Sequence, residues 1–203
     1  MSALPKRYFT PEEYLLLEER SPYKSQWIDG EIFPMGEDTS GVPSMMGGAA
    51  PVHVLITGNL GFSLNLRFRG RSCRAFIADL RVASVPGGIY TYPDVSALCG
   101  EPRYDDSNPP SLLNPQIIVE VLSPSTAAFD RGEKFMRYKG LASLTDYVLV
   151  AADKIEVEHH ARQPEGGWLS RTFAQPTDLL RLASVDCEIP LGEIYDKVGF
   201  PAR

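Results

Sequence analysis

The stretch that decides the fold is Gln116-Ile117-Ile118-Val119-Glu120-Val121-Leu122, which is followed directly by Ser123-Pro124-Ser125-Thr126. Its nearly continuous apolar run is typical of a central strand that is buried on both faces. The polar residues after it predict the end of the strand and the cap of a helix, which we expect to reach about Gly140. A second apolar run at 147–151 then predicts a strand–helix–strand unit over 116–151.

Upstream of this unit, the sequence predicts an N-terminal helix and a hairpin. The order of residues in Thr10-Pro11-Glu12-Glu13 is that of an N-cap, a first-turn proline and two acids, and it predicts a helix to about Arg20. Asp29-Gly30 lies inside the apolar stretch 26–33 and suits a tight hairpin turn. Residues 36–51 have no hydrophobic period and predict a long loop.

Periodicity and turn residues predict the remaining elements. We expect an amphipathic helix over 53–68 and strands over 75–85, 90–98, 154–161, 168–173 and 184–187, with a turn at 86–88 and a polar loop at 100–115. The fold class is therefore α+β or mixed α/β. A chain of 203 residues fits one domain over 1–203 with a sizeable core.

The charge balance bounds the partners of the protein. The chain has 20 Lys plus Arg against 26 Asp plus Glu, which gives a formal net charge of −6. This argues against a general DNA-coating surface but is compatible with a nucleic-acid enzyme that has a local basic strip. Four arginines form the basic cluster and are candidates for nucleic-acid contact, the alternative being a solvated helix end: Arg67, Arg69, Arg71 and Arg74.

The cysteines and the N-terminal segment indicate a cytoplasmic protein. Cys73, Cys99 and Cys187 are odd in number, far apart in sequence and without a CxxC pair, so we expect neither a disulfide framework nor a cysteine zinc site. The first twenty residues lack the apolar region of a signal peptide. No run of 18 apolar residues predicts a membrane span.

Glu120 is the most unusual residue of the chain, because it interrupts the most hydrophobic strand. On a strand it shares a face with Ile118 and Leu122. Burying an unpaired carboxylate costs several kcal/mol or forces its protonation. Either a metal ion or a buried Lys or Arg partner would offset this cost, and the residues alone leave both open.

Two further residues are candidates for the same site. Asp94, in Tyr92-Pro93-Asp94-Val95, lies where a proline begins or interrupts a strand, so it is either a turn residue or a ligand. On the predicted helix, Lys134 lies on one arc with Tyr138 and is expected to point towards the sheet. Asp130 precedes it by four residues, which also suits a solvated surface pair.

Weaker candidates complete the set. Asp79 is more typical of a bulge or turn, and His53 of a helix cap, than of a catalytic group. His159 and His160 are neighbours on a predicted strand, so their side chains diverge and cannot bind one metal ion together. The sequence contains no Walker loop, GxGxxG, GxSxG or HExxH motif, which disfavours P-loop, dinucleotide-binding and serine-hydrolase functions.

Three segments together resemble the Uma family of bacterial restriction-endonuclease-like proteins, within the PD-(D/E)XK nuclease superfamily. They are Tyr92 to Val95, Ile118 to Thr126 and Asp130 to Tyr138, and the resemblance extends over about 8–195. It implies a central mixed sheet of four or five strands flanked by helices, with an added N-terminal helix and hairpin.

The resemblance also implies roles for individual residues. Asp94 and Glu120 match the two metal-binding acids of the superfamily, which bind Mg²⁺ or Mn²⁺. The superfamily lysine normally lies two residues after the second acid, where this chain has Leu122, so Lys134 is the candidate for a migrated catalytic lysine. Gln26 stands where the family often has Glu.

Three classes of function follow. The first is a Mg²⁺-dependent endonuclease acting on nucleic acid, expected to be DNA, for which a homodimer is compatible but marked by no interface in the sequence. The second is an inactive nuclease fold that serves as a binding or assembly module, favoured by Leu122, Gln26 and the acidic charge. The third is a small-molecule enzyme that uses Asp94 and Glu120 as acid and base.

Overall fold

The computed structural model describes residues 7–35, 50–84, 88–123 and 126–200. Residues 36–49 of the predicted loop at 36–51 lie outside the described residues. Residues 86 and 87 of the predicted turn at 86–88 also lie outside them. The helices are α1 (Pro11–Arg20), α2 (Pro51–Arg67), α3 (Ala127–Phe129), α4 (Phe135–Tyr138) and α5 (Leu191–Ile194). The strands are β1 (Ser25–Ile28), β2 (Glu31–Pro34), β3 (Cys73–Ile77), β4 (Val82–Ser84), β5 (Ile89–Thr91), β6 (Val95–Cys99), β7 (Ile117–Leu122), β8 (Asp146–Ala151), β9 (Val157–Arg162), β10 (Trp168–Phe173), β11 (Leu179–Leu182) and β12 (Cys187–Pro190).

A six-stranded mixed sheet forms the centre of the fold, in the order β10-β9-β8-β7-β6-β3. Only β7 and β8 run parallel, and the helical segment 127–138 connects them. Both strands are buried at every position, which explains why their sequences are apolar apart from Glu120 in β7 and Asp146 at the start of β8. The predicted fold class and the strand–helix–strand unit are thus confirmed, although the central sheet has six strands where the family resemblance implied four or five.

Two layers of side chains cover this sheet. One face packs on α2 through its buried residues Ile56, Leu60 and Leu64. The other face, which carries Ile118 and Leu122, packs on the helical segment through Phe135 and Tyr138. Because side chains alternate along β7, Glu120 belongs to this second face and is aimed at the helical segment.

The N-terminal elements form a second sheet of four strands, β2-β1-β5-β4. The predicted helix is capped by Thr10 and Glu13, each of whose side chains accepts from the backbone of the other. The predicted hairpin turns at Asp29 and Gly30, which have φ angles of 48° and 91°. These positive angles suit the tight primed turn that the Asp-Gly pair indicates.

Two predicted strands each divide into two, which corrects the expectation for 75–85 and 90–98. The first divides at Ala78 and Asp79, both with positive φ, and the second at Tyr92-Pro93-Asp94. Proline has no N–H to donate to a ladder, so the strand cannot continue through Pro93. As a result β3 and β6 pair in the large sheet while β4 and β5 pair in the small one.

Smaller corrections concern the ends of elements. The predicted helix to Gly140 ends earlier and is interrupted by a π-helical turn at Asp130–Lys134. The strand predicted at 184–187 is instead a short 3₁₀ turn, Ala183–Val185, followed by β12. The sequence prediction missed β11, which pairs with β12 in a separate two-stranded sheet.

The expectation that the cysteines remain unpaired is wrong for two of them. Cys73 and Cys99 are directly opposite in the β3–β6 register and form a disulfide. Sequence spacing concealed the pair because 26 residues separate the two cysteines. Cys187 is free and buried. In the described part of the chain, no helix has the length and apolar character needed to cross a membrane.

Candidate active site

The two candidate acids meet because of the register between β6 and β7. Val95 pairs with Val119 in this antiparallel ladder, so Asp94 comes opposite Glu120. Residues that are directly opposite in such a ladder lie on the same face of the sheet. The Asp94 carboxylate accepts a 2.7 Å hydrogen bond from the backbone N–H of Val121, which continues the pairing beyond the end of β6.

His53 holds the other oxygen of Asp94. It lies in the first turn of α2, and its Nε2 is 2.7 Å from Asp94 Oδ1. This hydrogen bond raises the pKa of His53, although partial burial acts in the opposite direction. Asp94 is therefore fixed by two elements, the backbone of β7 and the start of α2.

Glu120 is held by the helical segment that follows its own strand. The residue is 4% exposed. Lys134 Nζ lies 2.7 Å from Glu120 Oε1, and the Tyr138 hydroxyl donates to the same oxygen at 3.0 Å. The sequence left open whether a metal ion or a basic side chain offsets the burial of Glu120. In this structure a buried lysine pairs with the carboxylate.

A π-helical turn presents Asp130 and Lys134 together. Both residues are buried, and Lys134 Nζ lies 3.4 Å from Asp130 Oδ1. The Tyr147 hydroxyl donates to the backbone carbonyl of Asp130 at 2.9 Å and ties the turn to β8. π-helical turns are rare and frequently occur at functional sites.

Burial and charge shift the protonation of this cluster. Burial raises the pKa of Glu120 to about 8; Lys134 acts to lower it, while Asp130 and Asp94 raise it. Burial alone would lower the pKa of Lys134, but Glu120 and Asp130 outweigh this effect and raise it. Lys134 therefore stays positively charged at neutral pH, and Glu120 holds its proton well above the pH at which an exposed glutamate loses it.

Gln26 and Asp79 occupy different surroundings. Gln26 Oε1 accepts a 2.5 Å hydrogen bond from the Thr91 hydroxyl, and Thr91 also interacts with the Tyr138 hydroxyl. Gln26 thus joins the cluster through two intermediates. Asp79 instead lies at a turn, the position that its sequence context favoured, and forms an exposed ion pair with Lys24.

The arginine cluster lies away from these acids. Arg67 follows His53 by 14 residues on α2, about 21 Å along the helix axis at 1.5 Å per residue. Its guanidinium binds both oxygens of Glu193 at 2.9 Å. Arg71 donates to the carbonyls of Val185 and Asp186. Two of the four arginines thus hold the C-terminal segment against α2, and the nucleic-acid role of all four, including Arg69 and Arg74, stays a prediction.

Sequence analysis did not identify Thr91 or Tyr147 as part of this cluster. Their hydroxyls contribute through contacts between elements, with Tyr138 and Asp130 respectively. Thr91 had no local signal. Tyr147, a polar-tipped residue at the start of the apolar run 147–151, offered the same kind of signal as Glu120.

Comparison with known proteins assigns the family. The family model described as "Uma2: Putative restriction endonuclease" matches residues 11–191. The chain belongs to the Uma2 family. The match extends from the start of α1 to the start of α5, so the family resemblance drawn from three short segments is confirmed over nearly the whole chain. Membership in Uma2 supports a nuclease-like function.

Relatives and a solved structure agree with this assignment. An uncharacterized protein of Synechocystis sp. is 35% identical over 191 residues, which cover 94% of this chain and 93% of the relative. A second one from the same organism is 34% identical over 163 residues, or 80% of this chain and 86% of the relative. A crystal structure from Anabaena variabilis, described as a putative nuclease belonging to DUF820, has a TM-score of 0.69 at 19% identity and covers 92% of this chain and 97% of that one. At this identity the likeness shows the fold alone.

Proposed function

We propose that this Uma2 protein is a Mg²⁺- or Mn²⁺-dependent endonuclease that hydrolyses phosphodiester bonds of DNA. In this proposal Asp94 and Glu120 are the metal ligands and Lys134 is the catalytic lysine. The observation that carries it is the 2.7 Å contact between Lys134 Nζ and Glu120 Oε1. The superfamily lysine normally lies on the strand, at the position that Leu122 occupies here. In this chain a lysine from the following helical segment contacts the carboxylate instead.

The donor set fits a hard divalent cation. Among the described residues, no three His, Cys, Asp or Glu side chains lie together as a ready metal cage. Mg²⁺ does not require one, because it is commonly held by one or two carboxylates and keeps several water molecules. A carboxylate with a pKa raised to about 8 would gain from a cation that replaces its proton. When bound, such an ion lowers the pKa of its water and polarises the phosphate.

The residues of the chain would hold and orient the reacting groups. The Val121 N–H and His53 fix the two oxygens of Asp94. Lys134 keeps a positive charge beside Glu120, where it can offset the negative charge that develops on the phosphate. Asp130 holds the ammonium group of Lys134 from the side of the π-helical turn.

The test is a cleavage assay with the full chain, using supercoiled and linear DNA with Mg²⁺ or Mn²⁺ and a chelator control. We expect metal-dependent cleavage that Glu120→Ala and Lys134→Ala each reduce by at least 100-fold, which is the scale of a lost charge-stabilising group. Glu133→Gln is the matched control, because Glu133 belongs to the same turn and is about half exposed. Absence of cleavage on DNA in every form, with both metals, would count against the proposal.

The inactive binding module stays the second candidate, and one observation favours it. Lys134 and Asp130 already pair inside the site, so the cluster is partly neutralised without a metal ion. Calorimetric titration with Mg²⁺ or Mn²⁺ separates the two candidates. Binding that Glu120→Gln weakens supports the endonuclease, whereas no heat at millimolar metal supports the inert module.

A further inference from the structure

The acid and the lysine at the centre of the candidate site lie below the protein surface. The Glu120 and Lys134 side chains are each 5% exposed, whereas the Asp94 side chain is 22% exposed. A scissile phosphate therefore has to enter the protein to reach both acids. Duplex DNA is stiff and carries its phosphates on the outside of the helix, so it has to bend or open before a phosphate can move inward. A single strand is flexible and avoids this cost, so the burial of the site favours an unpaired substrate.

Two phenylalanines lie beside this site, and we call them the aromatic pair. Phe129 belongs to α3 and directly precedes Asp130, whose carboxylate lies 3.4 Å from Lys134 Nζ. Phe33 belongs to β2, and its ring centroid lies 6.3 Å from that of Phe129, with 39° between the ring planes. Because the rings are tilted rather than stacked, Phe129 does not cover the face of Phe33, which is 39% exposed. The pair thus presents an aromatic surface to solvent next to the candidate site.

Phe33 is also connected to Glu120 through the small sheet. It is directly opposite Gln26 in the β1–β2 ladder, so the two side chains lie on one face of that sheet. Gln26 accepts a hydrogen bond from the Thr91 hydroxyl, and Thr91 interacts with Tyr138. Tyr138 in turn donates to Glu120. The aromatic pair is therefore held in place beside the buried carboxylate by the hairpin as well as by α3.

The same end of the hairpin carries an exposed cation. The backbone carbonyl of Lys24 accepts from the N–H of Met35, so Lys24 lies level with the end of β2. Its ammonium group is 5.4 Å from the ring centroid of Tyr92, which precedes Asp94 by two residues. The side chain is 47% exposed and pairs with the exposed Asp79. Because such a surface ion pair contributes little free energy, a phosphate can replace the carboxylate.

We propose that the aromatic pair and Lys24 bind single-stranded DNA, with an unpaired base stacked on the exposed face of Phe33 and a neighbouring phosphate on Lys24. This inference rests on the proposed endonuclease function and names the form of its substrate. A nucleobase is the occupant that fits, because every base has a flat π-face and proteins bind single strands by combining aromatic rings with positive charge. In an intact duplex the neighbouring bases cover both faces of each base, so the protein should discriminate against duplex DNA.

Fluorescence anisotropy with labelled oligonucleotides tests the preferred form of DNA. The full chain is titrated into a single strand of about 12 nucleotides, a length within the range of single-strand binding sites, and into a blunt duplex of the same sequence. A chelator prevents metal-dependent cleavage, and low ionic strength keeps phosphate contacts strong. We expect the single strand to bind at least tenfold more tightly. Equal affinity for the two forms, tighter binding of the duplex, or no binding of either would overturn the proposal.

Phe33→Leu separates stacking from packing. Leucine keeps an apolar contact with Phe129 but has no flat face, so single-strand affinity should fall about tenfold, the scale of one lost base–aromatic stack. Duplex affinity and the thermal unfolding temperature should stay close to wild type, and Phe33→Trp should restore single-strand binding. Tyr104→Leu is the matched control, because Tyr104 is 41% exposed and lies beyond the end of β6 opposite to Asp94. Single-strand affinity that Phe33→Leu leaves unchanged, or that Tyr104→Leu lowers equally, would contradict the proposal.

An abasic scan identifies the stacked base and keeps this inference apart from the nuclease proposal. Omitting one base should weaken wild-type binding about tenfold at one position of the strand and should weaken Phe33→Leu no further there, because ring and base act as one pair. Lys24→Gln should lower the salt dependence by about one phosphate contact. A protein that shows this pattern but cleaves no DNA loses the nuclease proposal alone. A metal-dependent nuclease whose scan is the same in wild type and Phe33→Leu loses this inference alone.

Discussion

At the residue scale, Glu120 concentrates the chemistry of the site because it combines deep burial with three polar neighbours. Lys134 and Tyr138 both bind its Oε1 oxygen, and Lys134 Nζ also lies 3.4 Å from Asp130 Oδ1. Breaking a buried pair by removing one partner costs far more than the pair contributes in net terms. Glu120 is therefore a group that is either ionised and paired with a cation or neutral because it binds a proton.

The pKa of Glu120 predicts how stability depends on pH in the metal-free protein. A folded-state pKa of about 8, above the value of 4.5 for an exposed glutamate, means that the folded chain binds a proton that the unfolded chain has released. This contribution is complete below about pH 4.5 and is lost as the pH rises to about 8. In the presence of a chelator, the difference in free energy of unfolding between wild type and Glu120→Gln should therefore change with pH in this window.

Denaturant unfolding of both proteins across this range gives the measurement. The wild type should lose stability relative to Glu120→Gln as the pH rises, because glutamine keeps the shape of the side chain without its charge. Glu133→Gln provides the control, since its exposed carboxylate should leave the pH profile as in wild type. A constant difference between wild type and Glu120→Gln would show that Glu120 titrates normally.

The sequence alone predicted those members of the cluster that a pattern within one segment of the chain identifies, namely Glu120, Lys134 and Tyr138. Strand alternation aimed Glu120 at one face, and the helical arc brought Lys134 and Tyr138 towards it. Thr91 was not identified because its contribution depends on which strands are neighbours, and periodicity within one segment carries no such information. Tyr147 did carry a local signal, a polar hydroxyl in an apolar run, but its partner Asp130 could be found only from the structure. The side chain of Asp79 was set by a contact with Lys24 that is 55 residues away in sequence.

At the element scale, the π-helical turn determines where Lys134 lies. The sequence predicted one helix over this region, and a straight α-helix already favours an inward lysine. The turn at Asp130–Lys134 adds one residue to the usual spacing and changes the direction of all that follows. Such local irregularity is invisible to a pattern with a period of 3.6 residues.

Deletion of Gly132 tests this role of the turn. A side chain placed at Gly132 would meet nothing within 4 Å, so no neighbouring group packs against this position. We expect the shortened turn to become α-helical and to rotate Asp130 relative to Lys134 by about 100°, the angle per residue of a helix. Metal-dependent cleavage should fall at least as far as in Lys134→Ala. Gly132→Ala is the control that keeps the length, and it should retain activity.

The division of two predicted strands also belongs to this scale. The Tyr92-Pro93-Asp94 sequence contained the signal for the second break, because proline cannot continue a ladder. The first break, at Ala78 and Asp79, had no comparable signal. The positive φ angles of Ala78 and Asp79 turn the chain so that β4 leaves the sheet that contains β3 and pairs with β5.

At the scale of the whole molecule, the disulfide closes an excursion of the chain. Residues 73–99 leave the large sheet after β3, contribute β4 and β5 to the small sheet and return as β6. Cys73 and Cys99 stand at the two ends of this path. A cross-link over a loop of this length is expected to contribute about 3 kcal/mol, mainly by restricting the unfolded chain.

Cys99→Ser should therefore lower the free energy of unfolding by about 3 kcal/mol. Chemical denaturation of the oxidised proteins measures the difference. Reductant should lower the stability of the wild type by a similar amount and leave Cys99→Ser unchanged, which separates loss of the cross-link from loss of packing. Wild-type stability that reductant does not alter would show that the bond contributes nothing to the folded protein.

The same excursion has a consequence for any attempt to shorten the protein. A fragment that begins at α2 would keep Asp94, Glu120 and Lys134, yet β5 would lose its pairing with β1. Thr91 would lose its hydrogen bond to Gln26, and the short link from Thr91 to Asp94, the proposed metal ligand, would follow a strand that is paired on one side only, with β4. The N-terminal hairpin therefore supports the strand that leads to the candidate site. Any shortened version of this chain that keeps the candidate site intact therefore has to include the N-terminal strands.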